Sequence, residues 1–442
     1  MEGDINFTEE RAKWRGSIAD PETLSILEDD ERYFLHQSMS TPCLDVLDGC
    51  RGTKIHTLSG KVLLDFHGNS VHQVGFGNEF IADRIIDQIR SLPFSPRRYT
   101  NLPAVGLAKK LALLLPGDLN RSLFAPGGTL AIGMAMKLAR VLTGKHKIIA
   151  FKDSFHGASL DAISAGGEEE FRKYMEPLLP GTIKITPPSN FIRSDPGSEE
   201  KQLQEAQLLE EAINKEGNIG AFLAETIRNS DVNIPSPLYW KKVREICSRH
   251  NVILILDEIP TAFGRTGKMF AFQNFEIEPD ILCLGKGLGG GFIPFAAMVT
   301  RDRFNVAKDI SLGHYTHEKS PLGSIAALAI IELIEKEKIL QKVLNDGIWM
   351  ERELNSLKER FRCIYDVRGL GLLWAIELEN DKEGMAEVSV KAEKIMYQCM
   401  SMGLNFKVSR GNVIQLVPPL TVRQDELTRA ISILADAFKK FC

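Results

Sequence analysis

Short apolar runs that alternate with helical patterns through the middle of the chain constrain its fold more than any other feature of the sequence. The runs lie at Ile148–Phe151, Ile219–Leu223, Val252–Leu256, Ile281–Leu284 and Phe295–Val299. The helical patterns lie at Thr129–Val141, Ser198–Lys215 and Tyr239–His250. Nearly continuous apolar strands between helices are typical of a mostly parallel sheet that is covered on both faces. The alternation therefore predicts an α/β fold over roughly residues 100 to 300.

The two ends of the chain carry a different pattern. After Pro321 come a long helical stretch, a strand, a helix, a further strand and a closing helix. The N-terminal part is acidic and weakly periodic, and a strand is predicted at Lys61–Phe66. We therefore predict three segments: an N-terminal arm with part of a small domain (1–75), a large domain (76–325) and a smaller α+β domain completed by 326–442.

Composition and charge exclude several classes of protein. The chain is 44% hydrophobic and 25% charged, as in an ordinary globular protein. Its net charge is -4, without the basic excess that nucleic-acid binders show. No apolar run approaches the ~20 residues of a membrane span, and Met1–Asp30 lacks the pattern of a secretory signal. We expect a cytoplasmic protein whose partner is neither a nucleic acid nor a membrane.

The seven cysteines are scattered along the chain. They form no CxxC pair, and no histidine lies near them at the spacing of a zinc finger. Such a pattern in a reducing compartment favours free, mostly buried thiols, and we expect no metal site.

Three segments beside the predicted strands carry groups that could bind a ligand, since open α/β sheets bind ligands where their strands end. Lys286, in the turn GKGLGGG, is either a solvated loop lysine or a lysine that reacts with a carbonyl group. Asp257 ends a strand and is either a helix cap or the partner of a buried cation. Gly128 and Thr129 begin a helix, where free N–H groups make either an anion site or a plain N-cap.

Taken together, the three segments match the contacts that pyridoxal phosphate (PLP) needs. Its phosphate binds a helix N-terminus, its pyridine nitrogen pairs with a carboxylate and its aldehyde reacts with a lysine. The protonated ring can then take up an electron pair from a neighbouring carbon. We therefore predict a PLP-dependent enzyme with a small-molecule amine as its substrate.

Four longer motifs relate the chain to a known family. Ile255–Gly267 (ILDEIPTAFGRTG), Asp280–Gly291 (DILCLGKGLGGG), Ser154–Gly157 (SFHG) and Asn412–Pro419 (NVIQLVPP) resemble motifs of the class-III aminotransferases, the group of the ornithine and acetylornithine aminotransferases. The resemblance covers nearly the whole chain. It implies the PLP-dependent transferase fold of type I, with a large domain and a smaller one. It also implies a homodimer whose active sites lie at the subunit interface.

The same resemblance implies roles for individual residues. Lys286 is expected to bind the cofactor's aldehyde and to move protons, Asp257 to pair with the pyridine nitrogen, and Glu225 to lie near the substrate. The residues expected to contact the cofactor are Gly128, Thr129, Phe155, His156, Asp257, Ile259, Lys286 and Thr316. Within this set, Phe155 is expected to stack on the ring and Thr316 to reach the phosphate of the neighbouring subunit.

The chain also departs from the family's usual pattern. Gln415 stands where the family often has an arginine that grips a substrate carboxylate, and the usual loop carboxylates are absent from Leu130–Gly133. His67–Gly75 (HGNSVHQVG) and His314–Pro321 (HYTHEKSP) instead resemble an ammonia-lyase subgroup whose substrate is (R)-1-hydroxy-2-aminoethylphosphonate. This resemblance implies a lyase that forms phosphonoacetaldehyde and ammonia. An aminotransferase acting on an amine or ω-amino acid is the alternative, followed by a racemase or another lyase.

A binding protein without catalytic activity is disfavoured, because the lysine is present and no attached DNA-binding domain is recognisable. The basic groups that would hold the phosphonate are not determined by the sequence. The candidates are Arg97, Arg98, Arg410 and Lys319. Each of them is otherwise a surface charge.

Overall fold

The computed structural model describes residues 7–38, 40–192, 195–379 and 384–442. Within these ranges the chain divides into two compact units. The large unit comprises Glu79–Asn229 and Asn233–Leu340. The small unit comprises the chain through Asn78, the short segment Ser230–Val232 and Gln341–Cys442.

Hydrogen bonding defines the strands and helices of the described ranges. The strands are β1 (Leu47–Arg51), β2 (Lys54–Thr57), β3 (Val62–Asp65), β4 (Leu119–Ala125), β5 (Lys147–Phe151), β6 (Thr182–Ile185), β7 (Ile219–Glu225), β8 (Ile253–Asp257), β9 (Ile281–Leu284), β10 (Ala296–Arg301), β11 (Ile364–Leu370), β12 (Leu373–Leu378), β13 (Leu404–Asn405), β14 (Lys407–Ser409) and β15 (Val413–Leu416). The helices are α1 (Glu9–Gly16), α2 (Pro21–Tyr33), α3 (Glu79–Ser91), α4 (Leu102–Leu114), α5 (Gly128–Thr143), α6 (Leu160–Ala165), α7 (Glu169–Arg172), α8 (Pro196–Glu216), α9 (Pro237–Arg249), α10 (Pro321–Lys336), α11 (Ile339–Arg360), α12 (Gly384–Ser401) and α13 (Gln424–Phe441). None of these described helices is long and apolar enough to cross a lipid bilayer.

One sheet organises the large unit, in the order β4-β10-β9-β8-β7-β5-β6. The strands from β9 to β6 pair in parallel, whereas β10 runs antiparallel to both β9 and β4. Every residue of β7 and β8 is buried, as expected for strands with both faces covered. The predicted α/β fold with a mostly parallel sheet is confirmed, and β10 is the strand of this sheet that runs against the others.

Helix α5 packs along this sheet. Side chains from one of its faces share an apolar cluster with every second residue of β7, β8, β9 and β10, since alternate strand residues point to the same face. The members from these four strands are Ala221, Leu223, Ile253, Ile255, Ile281, Cys283, Ala296 and Met298. The long apolar contact fixes the axis of α5, and with it the position of the helix start.

Helix α10 belongs to the large unit, where it packs on α3 and α4. Residues 326–340, which the sequence pattern placed in the C-terminal segment, therefore lie with the large unit, because the apolar faces of α10 are buried there. The long helical stretch predicted after Pro321 is interrupted at Lys338, whose φ is +51°. The chain then enters the small unit at Gln341, within α11.

The small unit combines the two ends of the chain. Its sheets have the orders β1-β2-β3-β13 and β11-β12-β15-β14. Strand β13 pairs in parallel with β3, so that Leu404 is the register partner of Leu64. Helices α12 and α13 pack against each other. The N-terminal hairpins and the C-terminal segment are therefore parts of one α+β unit.

A disulfide joins Cys363 and Cys442 in the small unit, with their Cα atoms 5.7 Å apart. The expectation of free thiols is wrong for this pair. Pairing depends on proximity in space, and the folded chain brings together two residues that are 79 positions apart in the sequence. The remaining cysteines form no disulfide, namely Cys43, Cys50, Cys247, Cys283 and Cys399.

Candidate active site

Four neighbouring parallel strands bring the predicted catalytic residues to one edge of the large sheet. Glu225 ends β7 and Asp257 ends β8, and these two residues are register partners. Lys286 follows the end of β9 by two residues, and Phe155 and His156 come shortly after β5. Because parallel strands end at the same edge, the order β9, β8, β7, β5 places these side chains next to one another. The five residues are called the sheet edge below.

Lys286 has a backbone conformation that few residues other than glycine adopt. The preceding Gly285 is extended, and Lys286 itself has φ +44° at the start of a short 3-10 helix. Such a left-handed residue costs about 1–3 kcal/mol, and residues of this kind cluster at functional sites. The turn holds the lysine directly at the end of β9, beside the strand that carries Asp257.

Asp257 and His156 form a buried pair. His156 Nδ1 lies 2.8 Å from Asp257 Oδ2, and both side chains are almost completely buried. A carboxylate only accepts hydrogen bonds, so His156 Nδ1 is the donor. The other oxygen, Oδ1, accepts the backbone N–H of Ile259 at 3.0 Å. The Asp257 carboxylate is therefore held in one orientation by the protein itself.

Glu225 is a second buried carboxyl at the sheet edge. Its Oε1 accepts the N–H of Phe155 at 3.2 Å, and its Oε2 accepts the N–H of Asn229 at 2.9 Å. Burial raises the pKa of Glu225 to about 6 and the Asp257 charge adds to the rise, while His156 and the two backbone donors oppose it. A measurable fraction of Glu225 is therefore protonated near neutral pH.

The start of α5 forms a cradle at the same edge. Strands β4 and β9 both pair with β10, which places Gly128 near the end of β9. A Cβ on Gly128 would lie 2.8 Å from Ile259 Cδ1, so a side chain there would have to displace Ile259. Gly157, at φ +123°, lies so close to Thr129 that a Cβ on it would be 2.5 Å from Thr129 Oγ1. The free N–H groups of the helix start favour an anion in this cradle.

Two residues at the cradle escaped the sequence analysis. Ser159 Oγ lies 2.5 Å from Thr129 Oγ1, and the Ser159 N–H donates to the same oxygen at 3.2 Å. Asp161 accepts a hydrogen bond from Ser159, and its Oδ2 lies 2.5 Å from where a Cβ on Gly133 would be. Asp161 thus brings a carboxylate to the first turns of α5, the segment in which the family's usual acids are absent. No motif marks these residues, because Ser159 and Thr129 are 30 positions apart in the chain.

A third residue without a signal in the sequence is Phe171. Its ring centroid lies 4.5 Å from that of Phe155, with the rings tilted by 42°. This contact supports the ring that is expected to stack on the cofactor. Aromatic residues at such spacings occur in any core, so the sequence alone did not distinguish Phe171.

The chemistry of these groups fits PLP. A lysine, a fixed carboxylate and an open helix start lie along one edge, and these are the partners of the cofactor's aldehyde, pyridine nitrogen and phosphate. His156 Nε2 is buried and has no hydrogen-bond partner within the described part of the chain. A buried polar atom of this kind calls for a partner, which a bound ligand would supply.

Thr316 lies in an exposed turn. The segment that contains it, 314–319, contacts the segment 94–101, and the two are called the outer loops below. The contacts are a ring pair between Phe94 and His317 with centroids 5.3 Å apart, a hydrogen bond of 3.0 Å from Arg97 Nη1 to His314 O, and one of 2.9 Å from Asn101 Nδ2 to Lys319 O. Tyr99, in the same loops, is 68% exposed.

The four basic residues predicted as anion contacts occupy different surroundings. Arg410 Nη1 pairs with Asp231 Oδ2 at 2.9 Å in the small unit. Arg97 and Arg98 are exposed residues of the outer loops, and Lys319 is half-buried there. Which of these groups binds a substrate anion stays a prediction.

Two departures from the family pattern lie in the small unit. Gln415, in β15, is 2% exposed. In the segment His67–Gly75, His72 is fully buried and its Nε2 lies 3.2 Å from Asp65 O. The carbonyl of Gln73 accepts the N–H of Leu420 at 2.7 Å. Both segments are therefore packed parts of the small unit.

Comparisons with known proteins agree with this geometry. Residues 36–438 match the model of a family described as aminotransferase class-III. Over all of this chain and 95% of the relative, the sequence is 50% identical to the (R)-1-hydroxy-2-aminoethylphosphonate ammonia-lyase of Vibrio splendidus (strain 12B01). It is 32% identical to the acetylornithine aminotransferase of Methanothermobacter thermautotrophicus, over 91% of this chain and 96% of that one.

A solved structure is similar over nearly its whole length. It is an amine transaminase from an uncultivated Pseudomonas species in its PLP-bound form. The two chains superpose with a TM-score of 0.85 at 28% identity, over 93% of this chain and 99% of that one.

Proposed function

The chain belongs to the class-III aminotransferase family, and within it we propose that the protein is a PLP-dependent ammonia-lyase. The proposed substrate is (R)-1-hydroxy-2-aminoethylphosphonate, a small amine that carries a hydroxyl and a phosphonate on the neighbouring carbon. The products are phosphonoacetaldehyde and ammonia. The reaction is then a step in the breakdown of a phosphonate.

The observation that carries this proposal is the identity of 50% to an ammonia-lyase over the whole of this chain. The acetylornithine aminotransferase is 32% identical over a similar length. The neutral Gln415 supports the same proposal, because an α-amino acid would lose a charge-assisted contact to its carboxylate there. Such contacts contribute roughly 1.5–3 kcal/mol.

We propose that PLP is held through its aldehyde by Lys286, through its pyridine nitrogen by Asp257 and through its phosphate by the start of α5. The support is the placement of these groups along one edge and the buried His156 Nε2 without a partner in the described chain. When bound, PLP supplies an electron sink for the pair that is left when the carbon next to nitrogen loses a proton. Phe155 and Ile259 are the apolar groups available to pack on the ring.

The residues of this chain then act on the substrate in turn. With PLP bound, Lys286 Nζ would remove a proton from C2, the carbon that bears nitrogen. The Asp257–His156 pair stabilises positive charge at the pyridine nitrogen throughout. The hydroxyl on C1 leaves, and because hydroxide is a poor leaving group it needs a proton from a general acid. The reaction would consume no 2-oxo acid, because the amino group leaves as ammonia.

We also propose a homodimer in which Thr316 contributes to the site of the partner copy. The support is the exposure of the outer loops, where the large side chain of Tyr99 is 68% exposed. Light scattering on the active enzyme tests this proposal, and a fully active monomer would contradict it. The expected cytoplasmic location stays a prediction.

The function is tested by supplying (R)-1-hydroxy-2-aminoethylphosphonate as the single substrate and measuring ammonia. A lyase releases many equivalents of ammonia per active site without any 2-oxo acid. An aminotransferase stops after about one equivalent of amino-group transfer, because its cofactor is left in the amine form. Turnover that needs added pyruvate or 2-oxoglutarate would therefore reject the lyase and favour the aminotransferase.

A further inference from the structure

The proposed lyase reaction needs a proton donor for its leaving hydroxyl, and we infer that Glu225 is that general acid. This inference rests on the proposed function and assigns to Glu225 a step that only an elimination contains. In it, Glu225 protonates the hydroxyl on C1 after Lys286 has taken the proton from C2.

The position of Glu225 suits this step. It ends β7 as the register partner of Asp257, and Lys286 lies at the end of the next strand beyond Asp257. Its Oε1 accepts the N–H of Phe155, the residue expected to stack on the cofactor ring. The carboxyl therefore lies at the same edge of the sheet as the lysine and contacts the residue that is expected to stack on the cofactor ring.

The other buried carboxyls of this edge already bind other groups. Asp257 is held by His156 Nδ1 and by the N–H of Ile259, and it is the expected partner of the pyridine nitrogen. Glu258 accepts three hydrogen bonds that fix the chain after β8. Those donors are Thr226 Oγ1 at 3.0 Å, Ala271 N–H at 2.7 Å and Phe272 N–H at 2.6 Å.

Glu225 makes fewer such bonds and can hold a proton. Each of its oxygens accepts one backbone N–H, and a carboxyl group has about four lone-pair positions. Burial raises its pKa to about 6, which makes it a better proton donor near neutral pH than an exposed carboxylate. Burial raises the pKa of Glu258 as well, to about 7, but its three hydrogen bonds hold it to the chain after β8. Geometry therefore selects Glu225, and its raised pKa is compatible with the role.

Loss of water from the substrate conserves atoms and electrons. The electron pair of the broken C2–H bond becomes the second bond between C1 and C2. The pair of the C1–O bond leaves with oxygen, which takes the Glu225 proton and departs as water. Addition of a proton at C1 and of one water at C2 then releases ammonia and phosphonoacetaldehyde, so no oxidant or reductant is needed.

The first test compares two leaving groups in Glu225→Gln. With the hydroxy substrate, loss of a general acid reduces elimination by about 10²–10⁴-fold. With the analogue that carries fluorine in place of the hydroxyl, fluoride leaves without a proton, and the variant should stay within about tenfold of wild type. An equal loss for both leaving groups would show that Glu225 only positions Phe155 and would overturn the inference.

A second measurement follows the earlier proton transfer. In heavy water, Glu225→Gln should still exchange the C2 proton, so that recovered substrate contains deuterium while ammonia is not released. If the variant loses exchange as completely as elimination, the inference is wrong. If the wild-type enzyme forms no ammonia from the hydroxy substrate, the proposed function itself is wrong. That result differs from a loss of both exchange and elimination in Glu225→Gln alone, which would refute only the role of Glu225.

Two further variants control for damage to the fold. Glu258→Gln removes a neighbouring buried carboxyl, and we expect its losses to be equal for the hydroxy and fluoro substrates. Glu225→Asp keeps a proton donor on a shorter side chain, and it should retain more hydroxyl elimination than Glu225→Gln. A carbonyl stretch of a protonated carboxyl in the infrared spectrum of wild type, absent from Glu225→Gln, gives a readout that does not depend on turnover. Because burial also raises the pKa of Glu258, to about 7, the signal that is lost in Glu225→Gln should persist in Glu258→Gln. A spectrum that Glu225→Gln leaves unchanged would contradict the assignment.

Discussion

The sheet edge and the outer loops of the large unit are built in opposite ways. Asp257 is 2% exposed and Glu225 is 6% exposed, and both are oriented by backbone N–H groups. In the outer loops, Tyr99 is 68% exposed and Arg97 makes its hydrogen bond to an exposed backbone carbonyl. The first region is held by strand pairing and burial, the second by a few contacts between loops.

This difference separates two parts of the function. A rigid edge can hold a cofactor and reacting groups to within fractions of an ångström, which the chemistry requires. Loops carried by a rigid scaffold vary more freely and often decide which substrate or partner is bound. We therefore expect substitutions at the sheet edge to change the rate of the reaction strongly. We expect substitutions in the outer loops to change the rate and the stability of a single chain much less.

The largest effect is expected for Lys286→Ala at the sheet edge. It removes the group that binds the cofactor's aldehyde and moves the proton, so turnover should fall by at least about 10⁴-fold. Ammonia release measures the loss, and circular dichroism checks that the variant is folded. Wild-type turnover in a folded Lys286→Ala would refute the role assigned to this lysine.

The next effect is expected for Asp257→Asn. Removing one charge of a buried pair costs about 3–5 kcal/mol, because His156 and the pyridine nitrogen lose their negative partner. The corresponding loss in kcat/KM is roughly 10²–10⁴-fold. Steady-state kinetics measures it, together with thermal unfolding to separate a loss of stability. A change of less than tenfold would show that the edge is less dependent on this charge than its burial implies.

The strands of the sheet edge could be predicted from the sequence for a physical reason. A strand buried on both faces needs apolar residues at every position, so β7, β8 and β9 appear as continuous apolar runs. Strand β4 has polar residues at Asn120 and Arg121 and gave no such run, and the direction of β10 depends on pairing that composition does not encode. Lys286 and Asp257 could be singled out because they follow apolar runs, where open α/β sheets bind ligands. The family resemblance then implied their roles.

Contacts between distant segments were the part that the sequence did not reveal. Ser159 reaches Thr129, and Cys363 reaches Cys442, only after the elements between them have packed. The outer loops belong to the same class, since a hydrogen bond from Arg97 to His314 O spans 217 positions. Local patterns therefore predict which strand ends carry chemistry, and they leave open which side chains support it.

A smaller effect is expected for Gly157→Ala, at the cradle next to the sheet edge. The new Cβ would lie 2.5 Å from Thr129 Oγ1 at a backbone φ of +123°, so both the conformation and the packing are disturbed. We expect the free energy of unfolding to fall by about 1–3 kcal/mol, with weaker binding of the cofactor phosphate. Gly144→Ala is the matched control, since its φ is +65° but no atom lies within 4 Å of the new Cβ. Equal losses in both variants would show that the close approach to Thr129 is unimportant.

The smallest effect is expected for Arg97→Ala in the outer loops. An exposed hydrogen bond to a carbonyl contributes little, so the free energy of unfolding should change by less than about 0.5 kcal/mol. Denaturant unfolding measured at several protein concentrations gives this value. Lys110→Ala, which removes another exposed contact of the large unit, is the matched control.

If Arg97→Ala alone shifts unfolding in a concentration-dependent way, the loop is stabilised by a second copy of the chain, as the proposed homodimer requires. A concentration-independent loss of 2 kcal/mol or more would instead show that the outer loops are held as firmly as the sheet edge, and the contrast between the two regions would fail.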